Sequence, residues 1–127
     1  LQIERRKEKR LECRLKVGVF LSQEKSGEPL TPQVQGLLVS LSRQGADVAL
    51  EEIMQDRTHL ALASLGSNRV LLNLVLPAGD GENTLTVAGK PVWFDKRTDT
   101  GVPPFRIGLR FVEDLTSRQY QRINRLI

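Results

Sequence analysis

The 127-residue chain contains one cysteine, one histidine, one tryptophan and one tyrosine, and these scarcities remove several function classes. A single cysteine, Cys13, closes no internal disulfide, and with the lone His59 it falls short of a structural zinc site. The same two residues are the only source of a Cys–His nucleophile pair. Cys13, however, sits in an alternating strand pattern, where a thiol is normally buried and inert, and His59 reads as a residue that caps or decorates a loop. Aromatic residues make up only 5% of the chain, too few for the stacking platforms that single-stranded nucleic acid requires. No run approaches the roughly 18 apolar residues of a membrane span. The apolar stretch 15–21 is broken by Lys16 and Gly18 and then turns polar, unlike a signal peptide. The acidic pairs Glu51-Glu52 and Glu113-Asp114 read as loop and helix-cap charges rather than acid–base dyads. These absences point to a single non-enzymatic domain in a reducing cytoplasm, with no metal and no cofactor.

What is present is distributed unevenly. Residues 1–16 carry seven basic side chains (Arg5, Arg6, Lys7, Lys9, Arg10, Arg14 and Lys16) against three acidic ones, which accounts for the whole net charge of +4. The remaining 111 residues balance, twelve basic against twelve acidic. A neutral body with a basic head suggests a local anion site rather than a surface for a polyanion.

From Leu11 the chain alternates, with Leu11, Cys13, Leu15, Val17, Val19 and Leu21 apolar and Glu12, Arg14 and Lys16 opposed to them, the signature of a half-buried strand. Residues 34–41 form a second apolar segment, and Ala46, Val48 and Leu50 a third beyond the Arg43-Gln44-Gly45 turn. Residues 51–68 fit helix or strand, ending at Gly66 and Asn68. Val70–Leu76 reads as a buried strand, followed by a turn over 77–81. Leu85 and Val87 lead into Val92 and Phe94, and Phe105, Ile107, Leu109 and Phe111 alternate with Arg106, Gly108 and Arg110. Near the end, Thr116 or Ser117 is placed to cap a helix with Tyr120, Ile123 and Ile127 on one face. About six short strands and one terminal amphipathic helix predict a mainly β fold, a small antiparallel six-stranded barrel flanked or plugged by that helix. The boundaries are a flexible arginine-rich segment over 1–10 and a barrel domain over 11–127.

Two clusters bear on function. Arg5-Arg6-Lys7-Glu8-Lys9-Arg10 precedes the first strand, and guanidinium forks in such a run meet phosphate bidentately or pair with guanine O6 and N7. A solvated charge run with ordinary i,i+4 pairs explains the same residues. Ser40-Leu41-Ser42-Arg43-Gln44-Gly45 joins two strands and offers hydroxyls and backbone N–H groups beside a glycine; alone, it is a hairpin turn.

Taken in order, the two clusters resemble the PilZ family. Arg6 and Arg10 match its RxxxR motif, with Arg5 as a further arginine, and Ser40-x-Ser42-x-x-Gly45 matches its [D/N]xSxxG. Lys90-Pro91-Val92-Trp93 and residues 106–111 look like the family's later strands, so that the resemblance spans residues 4–127. Trp93 itself reads as a core or barrel-wall residue. The resemblance implies a bacterial receptor for the second messenger cyclic di-GMP, held by Arg5, Arg6, Arg10, Ser40, Ser42 and Gly45. It also implies a protein partner or fused output domain that reads the bound state, with no nucleic acid polymer as ligand. Ser40 departs from the motif: a hydroxyl stands where the family has a carboxylate or amide. Losing one such contact costs about 1–3 kcal/mol, up to about a hundredfold in affinity. The alternative is therefore a degenerate adaptor that no longer binds nucleotide, and Ser40→Asp or Ser40→Asn is expected to tighten binding.

Overall fold

The alternation beginning at Leu11 continues as one long strand, β1 (Leu11–Gln23), in a computed structural model that describes residues 10–55, 57–67, 69–77, 83–98 and 101–127. Its first part pairs with β2 (Val34–Leu41) and its last part, from Gly18, with β6 (Val70–Pro77), all antiparallel. A second long strand, β7 (Thr84–Lys96), behaves the same way, serving β6 with its first half and β8 (Phe105–Phe111) with its second. With β3 (Gly45–Leu50) between β2 and β8, the strands close in the order β1-β2-β3-β8-β7-β6. Closure leaves no strand edge in the barrel to recruit another chain. The six-stranded antiparallel barrel expected from the sequence is thus present, and the Leu85–Phe94 stretch is a single strand.

The ambiguous segment after Leu50 combines both readings. It forms a two-residue hairpin, β4 (Met54–Gln55) with β5 (Thr58–His59), and then one turn of helix, α1 (Leu62–Leu65). Arg57 makes the reversal with a left-handed φ of 66°, an uncommon conformation for a residue with a side chain. His59 is the capping residue its surroundings suggested: Nδ1 accepts from the Ala61 and Leu62 N–H groups at 3.2 and 3.0 Å. The expected chain markers Asn68 and 78–81 lie outside the described residues.

The barrel is filled by leucine and valine at alternate positions, among them Val19, Leu38, Leu41, Val48, Leu72, Leu74 and Ile107, each 0% exposed. Each such side chain contributes about 1.5–3 kcal/mol on burial. The terminal helix, α2 (Ser117–Asn124), is capped by Thr116, whose hydroxyl accepts from Gln119 N–H while the Gln119 side chain accepts from Thr116 N–H. This reciprocal cap fixes the helix start. Ile123 is buried and Tyr120 packs against the core. Ile127, assigned to the same face from sequence, lies past the helix end and is exposed, so the apolar stripe is shorter than its spacing implied.

Candidate ligand site on the barrel wall

Three breaks in strand register fall along one transverse row. Glu12 pairs with Ser40, Ser40 with Asp47, Asp47 with Gly108 and Gly108 with Trp93, and the shifts occur beside this row at Glu12/Leu15, Leu38/Ser40 and Pro91/Trp93. In β2 the consequence is direct. Leu38 and Leu41 are both fully buried although three residues apart, so strict alternation fails between them. The step from Leu38 to Ser40 spans two residues of β2 against one of β3. That extra residue, Val39, turns Ser40 off the core face and places it beside Asp47, which is how a bulge re-aims a side chain.

Arg10 enters from the residue preceding β1 and completes a three-residue cluster. Its Nη1 donates to Ser40 Oγ at 3.3 Å and stands 3.0 Å from Asp47 Oδ1. Ser40 Oγ in turn donates to Asp47 Oδ2 at 2.9 Å. The Arg10 and Asp47 side chains keep 26% and 21% of their exposure, so the ion pair is partly screened by solvent and contributes about 0–1 kcal/mol. Its importance is placement: an arginine thirty residues upstream meets the first residue of the second motif. Arg5 and Arg6 lie outside the described residues.

Ser42 and Gly45 occupy a different role in the geometry. Ser42 is fully buried, and its hydroxyl accepts from the Gln44 and Gly45 N–H groups and donates to the Gly45 carbonyl. Gly45 lies so close to β8 that a Cβ there would sit 2.2 Å from the Leu109 carbonyl oxygen. These two residues build the turn. That turn is fastened to the chain leading into α2, because Gln44 O accepts from Phe111 N–H and Arg43 exchanges two hydrogen bonds with the backbone of Leu115.

At the far end of the row Trp93 lies across Gly108, where a Cβ would meet indole Nε1 at 2.1 Å. It is a barrel-wall residue, and Arg97 stacks 5.8 Å from its ring centre. Cys13 is half-buried, donates to the Leu38 carbonyl at 3.5 Å, and has its pKa raised from 9.0 to about 11 by burial. Such a thiol is a poor nucleophile near neutral pH. Among the described residues no group of three His, Cys, Asp or Glu side chains could hold a metal ion. Asp47 is the residue that sequence reasoning missed. It follows Gly45 by two positions, so alternation alone would put it on the outer face of β3, but its pairing with Ser40 depends on the bulge.

Comparisons with known proteins agree with this architecture. A family model described as PilZ domain matches residues 4–127. Among solved structures, the inhibitor of motility MotI (DgrA) of Bacillus subtilis superposes with a TM-score of 0.55 at 17% identity, covering 97% of this chain and 50% of that one. The chain therefore spans about half the length of MotI. The PilZ domain of YcgR from Escherichia coli, solved with c-di-GMP, gives a TM-score of 0.57 at 13% identity, covering 98% and 89%. The PilZ domain of CeSA from a cellulose-synthesizing bacterium gives 0.47 at 20% identity, covering 94% of each chain. No curated protein sequence matches the chain.

Proposed function

The chain belongs to the PilZ domain family, and from that premise we propose that it is a cytoplasmic receptor domain for cyclic di-GMP that holds the messenger without transforming it. The observation that carries this reading is the position of Arg10, the last residue of RxxxR, within hydrogen-bonding distance of Ser40 at the head of the second motif. Arg10 and Ser40, one residue from each of two motifs separated in sequence, thereby meet on the barrel wall. A ligand with two phosphates and two guanines suits guanidinium groups, which grip phosphate bidentately and recognise guanine O6 and N7. Arg5 and Arg6 would join Arg10 from the segment ahead of β1. Ser40 would meet the ligand beside Arg10, while Ser42 and Gly45 would serve the site through the turn they shape. The reading requires no metal or cofactor. Binding would engage the arginine segment with the wall, a change that a partner or fused output domain could read. Among the described residues no helix is long and apolar enough to cross a membrane.

Calorimetric titration with cyclic di-GMP at low salt tests the proposal. Binding is expected, and Arg6→Ala or Arg10→Ala should weaken it by about tenfold or more, the loss of a charge-assisted hydrogen bond. The melting temperature of the ligand-free domain should stay nearly constant, since the Arg10 ion pair is partly exposed. One observation favours a second reading: Asp47 already engages Arg10, so an anionic ligand must share or displace that contact. Absence of heat from the wild-type protein, at low salt and high concentration, would replace the receptor with the adaptor.

A further inference from the structure

We infer that Asp47, on β3, supplies the carboxylate that the second motif lacks at position 40. The inference rests on the cyclic di-GMP reading and deepens it. Ser40 and Asp47 are direct partners across the β2–β3 ladder, and Cβ atoms of such partners lie about 4.5–5.5 Å apart. An aspartate side chain spans much of that gap, so the acceptor oxygens of Asp47 reach the space that an acidic side chain at 40 would occupy. Ser40 itself holds them there, because its hydroxyl donates to Oδ2. The residue that leaves the motif thus orients the carboxylate that replaces it.

The remaining contacts fit the same role. Oδ1 lies 3.0 Å from the Arg10 guanidinium, which holds the arginine beside the carboxylate. Oδ1 is itself buried and, among the described residues, takes part in no hydrogen bond of good angle, although a carboxylate offers about four acceptor positions in all. The group therefore has capacity for the N1–H and N2–H₂ edge of a guanine once the Arg10 side chain swings aside to uncover it. Glu12, the partner of Ser40 on its other side, is exposed to solvent and serves as the control.

The test is a set of titrations with cyclic di-GMP on the whole chain, each variant first checked for an unchanged fold by circular dichroism and thermal melting. Asp47→Ala should weaken binding by about tenfold or more, Asp47→Asn by less because an amide oxygen still accepts, and Glu12→Ala by less than about threefold. The deciding variant is the double replacement Ser40→Asp with Asp47→Ala, which moves the carboxylate to the motif's own position and should recover most of the lost affinity. A general structural role for Asp47 gives no reason for rescue from the adjacent strand. If Asp47→Ala disturbs the fold, Asp47→Ser with and without Ser40→Asp makes the same comparison. Unchanged affinity in the Asp47 single variants, or no recovery in the double variant, overturns the inference while leaving the receptor reading in place. A wild-type protein that does not bind overturns both, and that outcome is visible before any variant is made.

Discussion

The two sides of this barrel are built to different rules. Around β6 the ladders run without interruption, Gly18–Gln23 against Val70–Val75 and Leu72–Pro77 against Thr84–Gly89. Around β2 and along the β7–β8 seam the register slips at three places, all bordering the row from Glu12 to Trp93. Unbroken pairing keeps one face of each strand in the core and closes the sheet. Broken pairing gives up local regularity and turns polar side chains toward one another on the outer wall. On the proposed receptor reading this is a division of labour within one sheet, with stability from the regular side and the proposed ligand site on the bulged side.

The sharpest way to break that division is to damage the regular side and look for an effect on the other. Leu74 is fully buried in β6 between β1 and β7. Leu74→Ala is expected to destabilise the protein by about 2–5 kcal/mol, measured by urea unfolding followed through Trp93 fluorescence. Affinity of the folded fraction for cyclic di-GMP should not change. A parallel loss of affinity at concentrations where the variant remains folded would show that the two sides are not separable.

A smaller effect is expected from overfilling the bulged side. Gly108 has no room for a methyl group while the Trp93 indole covers it, so Gly108→Ala must push the ring aside. The cost expected for such overpacking is about 1–3 kcal/mol, with a shift in tryptophan emission as the indole leaves its place. An unchanged emission spectrum together with unchanged stability would mean that the ring does not rest on Gly108 in solution.

Much of the barrel was legible in the sequence, and the site was legible only in part. Alternation named β1 and β8 because Leu11 through Leu21 and Phe105 through Phe111 obey period two with few exceptions. Closure was inferable from the strand number and the scarcity of other elements. The excursion over 51–65 was not, because two-residue strands and a single helical turn are shorter than any periodicity can register. Ile127 carried the right spacing, but the helix ends before it. In the candidate site, motif spacing singled out Arg10 and Ser40, which the structure brings together, whereas nothing in the spacing pointed to Asp47. Its partnership with Ser40 is a tertiary fact created by the extra residue at Val39, and no local pattern in VQGLLVSL announces a bulge.

The environment of Ser40 also alters what substitution there should do. From sequence, Ser40→Asn or Ser40→Asp is expected to tighten binding. With Asp47 directly opposite and already bonded to the Ser40 hydroxyl, a new acceptor at 40 duplicates one that is present. Ser40→Asn in the otherwise unaltered chain is thus expected to change the dissociation constant by less than about threefold, well under 1 kcal/mol. Ser40→Asp should do no better, since like charges directly opposite on paired strands repel. Strong tightening by Asp in the presence of Asp47 would mean that the two positions do not compete for one task.

An effect on stability confined to high pH concerns Cys13, which lies within the β1 register break and donates to the Leu38 carbonyl. If the bulged side were loosely packed, this thiol would be open to solvent and would titrate as a free cysteine. Burial instead raises its pKa from 9.0 to about 11, which lowers the thiolate fraction near neutral pH by about a hundredfold. Alkylation by iodoacetamide at pH 7.5 should therefore proceed about a hundred times more slowly than for an unperturbed thiol. The sign for stability follows. A folded-state pKa above the unfolded value means that the contribution is fully present below pH 9 and is lost as pH rises through about 11. Between those limits the wild-type protein should lose stability faster than a Cys13→Ala variant, with no such divergence between pH 6 and 8. Rapid alkylation at pH 7.5 would show that the bulged side opens locally and packs less tightly than the half-buried thiol implies.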